Sequence, residues 1–326
     1  MGWKPLVWII DEEWPDYSVE TGLLEEAFPG CHIRFSGNDY AADLEAFGAE
    51  ADAVLCQIYV EMPRATLERM GRCRVVSVFG GGFDRVDTEA ARERGIQVTF
   101  VPGYCVEDVS DHVLASLYHA NKRITAYGEA LRRGIWGAQA VERPARRIRG
   151  SVLTVVGLGR IGSATARKAA ALGMRVLAFD PYVSDEAFAA AGAERVSWEQ
   201  GFREADFLSI HAKLTPETEG LVGARELGWM KPSATVVNTA RGPILDEDAL
   251  VAAVRDGRLA GAYLDVIRTE PPVLSDPVFH CPGILVTPHI SYLSEQSFLE
   301  LRTRATTNAV RVLQGLPVED SVEAVG

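Results

Sequence analysis

Short runs rich in valine and isoleucine alternate with helix-like segments along most of the chain, and this alternation limits the possible folds more than any other feature. Such alternation is typical of parallel sheets that helices cover on both faces, so it predicts an α/β protein. In the first third it predicts a small doubly wound unit with helices such as Glu20–Phe28 and Ala65–Met70. The strands predicted there are Leu6–Ile10, His32–Phe35, Ala53–Ile58, Val75–Phe79 and Gln97–Val101.

The middle of the chain carries a different pattern, a single long helical segment from Val106 to Arg133. At about 1.5 Å per residue such a helix would span about 40 Å, which is longer than a crossover on a sheet needs. We therefore predict that it leaves one domain and enters another. A second alternating series runs from Val152 to about Val286, and a final helix is predicted at Glu295–Leu313. Two doubly wound units joined in this way predict an interdomain cleft, where small ligands usually bind.

The charge and the cysteines exclude several classes of partner and site. Among 326 residues, 33 lysines and arginines stand against 45 aspartates and glutamates, a net charge of −12. Binding a nucleic acid needs a broad cationic surface, so no nucleic-acid partner is predicted. The five cysteines are scattered, odd in number and without a C-x-x-C pair. This argues against a disulfide framework and against a metal site, and it favours a reducing cytoplasm.

The first residues form a short apolar run that meets acidic residues at once. This is typical of a first strand and not of a signal peptide. No segment approaches the ~18 consecutive apolar residues that a spanning helix requires. We therefore predict a cytoplasmic protein without a membrane partner.

A glycine motif, G-x-G-x-x-G, follows the apolar strand that begins at Val152 and precedes a helix of small residues. Gly157 would permit the tight turn, Gly159 would let the backbone approach a pyrophosphate, and Gly162 would let the helix pack closely on the strand. The N-terminus of the helix would then face the phosphates. The motif alone is weak evidence, because the chain contains 30 glycines. Its place between a strand and a helix strengthens it as a dinucleotide-binding motif.

The next strand ends in Asp180, 18 residues beyond Gly162. A carboxylate at this position can accept a hydrogen bond from a ribose 2′-hydroxyl, and it would repel a 2′-phosphate. Pro181 and Tyr182 follow, without an arginine that would favour NADP. We therefore predict that NAD (NADH) is preferred over NADP. The alternative is that Asp180 only starts a turn before Pro181.

With four further motifs, this pattern resembles the D-isomer-specific 2-hydroxyacid dehydrogenases over nearly the whole chain. Several motifs in the same order are far more specific than any one of them. They are Phe79–Asp84, Val237–Gly242, Leu264–Val266 followed by Thr269–Pro272, and Thr287–Ser291. Within the family, three segments look most like the branch that contains the C-terminal binding protein co-repressors, namely Arg143–Gly150, Asp180–Tyr182 and Tyr292–Gln296.

The resemblance implies a division of the chain and a reaction. Residues 1–101 together with 292–326 would form a flavodoxin-like substrate (catalytic) domain, and residues 102–291 would form an inserted Rossmann domain for NAD. The expected reaction transfers a hydride between nicotinamide and a small 2-hydroxy acid or 2-oxo acid. A homodimer is also implied.

Three residues match the catalytic positions of the family, namely Arg241, Glu270 and His289. Oxidising a hydroxy acid removes a hydride from carbon and a proton from oxygen, so the site needs a base near the hydroxyl and a cation for the carboxylate. His289 matches the acid/base histidine, since histidine can take and return a proton near neutrality. Glu270 matches the acid that holds this ring in one tautomer. Arg241 matches the residue that grips the substrate carboxylate with a forked pair of donors.

The same matching extends to the ligand-binding positions. The residues implied for NAD are Gly157, Gly159, Arg160, Ile161, Gly162, Asp180, Ala212, Thr239, Ala240, Arg241, Asp265 and His289. The residues implied for the substrate are Phe79, Gly80, Gly81, Gly82, Tyr104, Arg241 and Tyr292, of which the glycines would offer backbone N–H groups.

Several alternatives stay open. Each catalytic candidate has a structural interpretation, as an interdomain histidine, an arginine paired with a structural carboxylate, or a solvated loop acid. A co-repressor-like binding protein that senses NAD(H) is one alternative function, and phosphite or formate oxidation is another. Val78 stands where several relatives carry an arginine that helps to hold substrate, and Lys213 and Tyr292 also depart from the family pattern. The motifs do not determine which 2-hydroxy acid is the substrate.

Overall fold

The computed structural model describes residues 2–140 and 145–322, so Arg143 of the co-repressor-like segment and the last four residues lie outside the described chain. The chain forms two compact units, and the second is inserted into the sequence of the first. The first unit comprises Met1–Cys105 with Ser294–Gly326, and the second comprises Val106–Leu293.

The first unit contains a five-stranded parallel sheet in the order β2-β1-β3-β4-β5, which is the flavodoxin-like order. The strands begin at the predicted residues and end within two residues of the predicted ends. They are β1 (Leu6–Ile10), β2 (His32–Ser36), β3 (Ala53–Gln57), β4 (Val75–Phe79) and β5 (Gln97–Thr99). The helices between them are α1 (Ser18–Ala27), α2 (Ala41–Ala46), α3 (Arg64–Leu67) and α4 (Thr88–Glu93).

The second unit contains a seven-stranded parallel sheet in the order β12-β11-β10-β9-β6-β7-β8. The chain builds this sheet outward from β6, first towards β8 and then, from β9 onward, on the other side, so the strand order reverses beside β6. The strands are β6 (Val152–Val156), β7 (Arg175–Phe179), β8 (Glu194–Arg195), β9 (Phe207–Ile210), β10 (Thr235–Asn238), β11 (Gly261–Leu264) and β12 (Ile284–Val286). The helices are α5 (Val106–Lys122), α6 (Ile124–Arg132), α7 (Arg160–Ala171), α8 (Asp185–Ala190), α9 (Trp198–Glu204), α10 (Ala224–Trp229) and α11 (Glu247–Arg255). Two parallel α/β sheets confirm the predicted fold class.

The last helix, α12 (Glu295–Leu313), has the bounds that the sequence predicts and returns to the first unit. The Ser77 hydroxyl of β4 donates to the carbonyl oxygen of Ala305 at 2.7 Å. Arg302 makes a buried, bidentate ion pair with Glu20 of α1, with N–O distances of 2.7 and 2.6 Å. These contacts join the two separate stretches of the first unit.

The prediction of one continuous helix from Val106 to Arg133 is wrong. The segment forms two helices, because Arg123 between them adopts a left-handed backbone conformation with φ of 51°. A single left-handed residue redirects the chain and ends the first helix there. Both helices belong to the second unit, so the segment does not run from one unit into the other.

Three further observations concern membrane-spanning helices, metal sites and the state of the cysteines. Across residues 2–140 and 145–322, no helix combines the length and the apolar character that crossing a membrane requires. Within the same described ranges, no three side chains of histidine, cysteine, aspartate or glutamate are grouped so as to hold a metal ion. All five cysteines are free thiols.

Candidate active site

The glycine loop after β6 is shaped by close packing at two of its three glycines. Gly157 has a φ of 90°, and a Cβ there would lie 2.8 Å from the backbone nitrogen of Ala212. A Cβ at Gly162 would lie 2.0 Å from the carbonyl oxygen of Gly157. Around Gly159, by contrast, no atom of the described chain beyond the adjacent residues lies within 4 Å of the Cβ position. Since Gly159 directly precedes α7, the loop leaves open space in front of the first residues of this helix, Arg160 and Ile161.

Asp180 lies beside this loop, directly after β7. Its Oδ2 accepts a hydrogen bond from the backbone N–H of Leu158 at 2.8 Å, and its Oδ1 accepts one from Tyr182 at 2.9 Å. The two bonds fix the carboxylate at the carboxyl edge of the sheet, next to the open space at Gly159. This is the edge where α/β sheets bind ligands, beside the reversal of strand order.

The loop after β10 carries Thr239, Ala240 and Arg241. The fully buried Asn238 braces it, since its Oδ1 accepts from the N–H of Ala240 and its Nδ2 donates to the carbonyl oxygen of Arg241, both at 3.0 Å. The buried hydroxyl of Thr239 has no hydrogen-bond partner in the described residues. A buried donor of this kind calls for a partner such as a ligand or a water molecule.

Gly242 lets this loop contact a second loop, which carries Ile267 and Glu270. A Cβ at Gly242 would lie 1.9 Å from the carbonyl carbon of Ile267, so the two backbones touch. Ile267 donates its backbone N–H to Oε1 of Glu270 at 3.2 Å. The close contact therefore places the loop of Arg241 beside the loop of Glu270.

Asp265 directly follows β11 and is 2% exposed. Its carboxylate accepts hydrogen bonds from the Thr287 hydroxyl at 2.5 Å, from the N–H of Ile290 at 3.0 Å and from the N–H of Ser291 at 2.8 Å. Its carbonyl oxygen accepts the N–H of His289 at 2.9 Å. The side chain of this expected NAD residue is thus occupied in holding the turn that carries His289.

His289 has a left-handed backbone, with φ of 52°. Such a conformation is uncommon for residues other than glycine and persists where the surroundings hold it in place. The bonds to Asp265 supply that restraint. His289 is therefore presented on a turn whose conformation a buried carboxylate maintains.

The structure brings His289 and Glu270 together. Nδ1 of His289 lies 3.1 Å from Oε2 of Glu270, and both side chains are 13% exposed. Because an ionised carboxylate only accepts hydrogen bonds, Nδ1 carries the hydrogen of this bond. Nε2 is then the ring nitrogen that can accept a proton from a ligand or return one to it.

Other predicted substrate residues lie in the first unit. Gly80 follows β4, and a Cβ there would lie 2.0 Å from Cγ2 of Ile58. A Cβ at Gly81 would lie 3.8 Å from Cε1 of Tyr104. Phe79 is 1% exposed, with its ring centroid 4.6 Å from that of Trp14, which is a core position of this unit. Gly82 is close in sequence to these residues, whereas Tyr292 belongs to the second unit.

Two residues that brace the site were not predicted individually from the sequence. Asn238 and Thr287 lie inside motifs that match the family, but their supporting roles depend on partners that no local pattern reveals. His211 directly follows β9, and burial lowers the pKa of its ring to about 4. Its Nε2 lies 2.8 Å from the Ser209 hydroxyl. The His211 ring is therefore neutral at ordinary pH, and the backbone of His211 lies against Gly157 of the glycine loop.

Comparison with known proteins places the chain in a family. Residues 114–291 match the family model described as D-isomer specific 2-hydroxyacid dehydrogenase, NAD binding domain. The chain belongs to this family. The dinucleotide-binding motif, with its open space at Gly159 and the unpartnered hydroxyl of Thr239, fits an NAD-binding role for the second unit.

Two curated relatives show how far the likeness extends. The chain is 37% identical over 298 residues to the D-3-phosphoglycerate dehydrogenase of Mycobacterium leprae, covering 90% of this chain and 55% of that protein. It is 34% identical over 273 residues to the glycerate dehydrogenase of Methylorubrum extorquens, covering 81% of this chain and 83% of that protein. The chain thus spans only about half the length of the mycobacterial relative.

A solved structure matches along the whole chain. The 2-hydroxyacid dehydrogenase from Ketogulonicigenium vulgare Y25 is 28% identical, with a TM-score of 0.83 and coverage of 98% of both chains. The fold with two parallel sheets is therefore shared with this solved structure.

Proposed function

We propose that the protein is an NAD-dependent oxidoreductase that interconverts a small 2-hydroxy acid and the corresponding 2-oxo acid. The observation that carries this proposal is the contact of 3.1 Å between His289 and Glu270, on the unit that also holds the glycine loop. A bound nicotinamide would supply or accept the hydride. The chain itself must then move one proton, which a histidine held by a carboxylate is suited to do.

Each of the other residues has a distinct proposed role. In the reductive direction, Nε2 of His289 gives its proton to the substrate oxygen as the substrate C2 becomes tetrahedral. Arg241 binds the substrate carboxylate and polarises the oxo group, for which a guanidinium offers two parallel donors. Glu270 stabilises the ring orientation of His289, and Asp265 holds the turn on which His289 lies. Substrate binding by the backbone of Gly80–Gly82 and by Tyr104 and Tyr292 remains part of the proposal.

The preference for NAD over NADP is a further part of the proposal. It is supported by the Asp180 carboxylate, which two backbone N–H groups hold at the carboxyl edge of the sheet. A fixed negative charge there favours a ribose hydroxyl and repels a 2′-phosphate. The free thiols of the five cysteines are consistent with a reducing cytoplasm as the proposed location.

We also propose a homodimer that uses the surface of α6. Ile124 and Leu131 on this helix are 65% and 55% exposed, and Trp136 just beyond it is 81% exposed. Three large apolar side chains close together in sequence are a costly surface for a protein to leave in water. A second copy of the chain would cover them. The domain roles expected from the family are retained as proposals, with substrate binding in the first unit and NAD binding in the second.

The test is consumption of NADH by the purified protein with a panel of 2-oxo acids at millimolar concentration. Formate and phosphite, tested with NAD, cover the alternative reactions. Replacing His289 with alanine should lower kcat by about 10²–10⁴, the usual loss when general acid–base help is removed. His280, an exposed histidine of the same unit whose ring bonds to the carbonyl of Leu274, is the matched control, and His280→Ala should keep full turnover.

Two results would overturn the proposal. One is that NADH remains unoxidised with every oxo acid of the panel. The other is that His289→Ala turns over at the rate of the unsubstituted protein, which would remove the role of His289. A partner protein whose capture changes with NADH, found together with absent turnover, would favour the co-repressor-like alternative.

A further inference from the structure

An arginine that no motif singles out lies beside the proposed ribose site. Arg195 ends the short edge strand β8, where it pairs with Ala178 of β7, two residues before Asp180. Its side chain crosses back over the segment that follows β7. Two nitrogens of the guanidinium make short contacts there, and the third makes a longer one.

The contacts of Arg195 are specific. Nε lies 2.6 Å from Oδ1 of Asp185, Nη2 donates to the carbonyl oxygen of Val183 at 2.6 Å, and Nη1 lies 3.5 Å from the carbonyl oxygen of Asp180. The guanidinium carbon is 4.1 Å from the ring centroid of Phe188, so the planar group also stacks on an aromatic ring. The Arg195 cation thus lies beside the backbone of Asp180 and pairs with Asp185, whose side chain is 84% exposed.

We propose that Asp180, Asp185 and Arg195 together determine cofactor selectivity, with Arg195 acting as a masked site for a 2′-phosphate. The proposal rests on the proposed NAD-dependent function and goes beyond it. Asp180 excludes the phosphate by its charge. Arg195 could attract the same phosphate, but Asp185 already pairs with its guanidinium and weakens that attraction.

Asp185 and a 2′-phosphate would compete for the same N–H donors of Arg195. A guanidinium binds phosphate well through paired N–H groups, and this one lies 3.5 Å from the carbonyl oxygen of Asp180, the residue proposed to bind the ribose. In the structure those donors already serve a carboxylate and two carbonyl groups. A 2′-phosphate would therefore need to displace Asp185 from an exposed ion pair, which has a modest cost, and also approach the charge of Asp180, which is the larger obstacle. Removing only one of the two carboxylates should leave the other obstacle in place.

The experiment measures dissociation constants of NADH and NADPH directly by calorimetry, without any oxo acid, so it does not depend on turnover. Asp180→Asn alone should raise the NADPH-to-NADH affinity ratio, because it removes the repulsion of the 2′-phosphate. Asp185→Asn alone should change the ratio by less than about fivefold, because the ion pair of Asp185 with Arg195 is exposed. The double variant should raise the ratio by about tenfold to a hundredfold beyond the product of the single effects, the range for a charge-assisted hydrogen bond. Adding Arg195→Met to the double variant should abolish that gain. A role of Arg195 that is only structural would instead weaken both nucleotides equally.

Asp256 provides the matched control, since it forms an exposed ion pair with Arg258 at 3.1 Å in the same unit. Asp256→Asn in the Asp180→Asn background should produce no gain for NADPH. If NADH binds but the double variant shows no more than additive effects, or if Arg195→Met keeps the gain, the inference is wrong and the proposed function stands. If the unsubstituted protein binds neither nucleotide, the proposed function fails, and the inference fails with it.

Discussion

Gly159 and Gly162 lie in the same loop, yet an added methyl group should affect them in different ways. At Gly162 the new Cβ would lie 2.0 Å from the carbonyl oxygen of Gly157, more than about 1 Å inside a normal contact. The obstacle is backbone and cannot rotate away. At Gly159 the backbone is extended, with φ of −70° and ψ of −162°, and nothing in the described chain beyond the adjacent residues lies within 4 Å of the Cβ position. Alanine therefore fits there without strain.

The sizes of the two effects follow from these distances. Gly162→Ala should lower the free energy of unfolding by about 3 kcal/mol, the upper part of the range for overpacking, because the helix must move from the strand. For a unit of this size that corresponds to a fall in Tm of about 6–12 °C. Gly159→Ala should leave the Tm unchanged or slightly higher, because alanine restricts the unfolded chain. Its cost should appear in NADH binding, where the methyl group fills the space a pyrophosphate would use.

Thermal unfolding without ligand and calorimetric titration with NADH separate the two variants. Gly159→Ala should weaken NADH binding by about tenfold or more, the equivalent of one charge-assisted hydrogen bond lost at the start of α7. Gly228 in α10, which also has open space around its Cβ position, is the control, and Gly228→Ala should change neither measurement for the worse. The reasoning is refuted if Gly162→Ala unfolds at the temperature of the unsubstituted protein. It is equally refuted if Gly159→Ala binds NADH normally.

Two remaining predictions concern pH and assembly. Burial lowers the pKa of His211 from 6.5 to about 4, so the imidazole binds a proton more readily in the unfolded chain than in the folded one. As the pH falls from 6.5 to 4, the folded state should therefore lose about 3 kcal/mol of stability. His211→Gln should flatten this part of a stability profile measured by urea unfolding, and a profile that does not change contradicts the assignment. Replacing Leu131 and Trp136 with serine should raise the dimer dissociation constant by at least about tenfold, as measured by light scattering. A monomeric unsubstituted protein would remove the proposed dimer.

The strands and the last helix could be predicted from the sequence because their signal is local. A run of apolar residues bounded by polar ones marks a buried strand wherever it lies in the fold, and β1, β4 and α12 have the predicted bounds. The long helical segment shows the limit of such patterns. Lys122, Arg123 and Ile124 contain no helix breaker, so nothing in the residue types marks the left-handed turn at Arg123.

The candidate site also has one part that the sequence predicts and another that depends on the fold. The glycine motif is contiguous, so the chain itself brings its parts together and the sequence alone predicts its role. Glu270 and His289 are 19 residues apart, and Asp265 reaches residues up to 26 positions further along. They meet because β11 and β12 are adjacent parallel strands whose carboxyl ends lie at one edge of the sheet.

The sequence by itself therefore determined the fold class and the family, and it predicts the residue types on which the proposed chemistry depends, since short motifs carry each of these signals. Only the tertiary structure decided that Asp265 holds the turn of His289, that helix α5 stops at Lys122, and that Arg195 lies over the segment after Asp180. Each of these depends on backbone geometry or on contacts between elements. Such contacts are set by how sheets and helices pack, and the order of residues along the chain does not encode them locally.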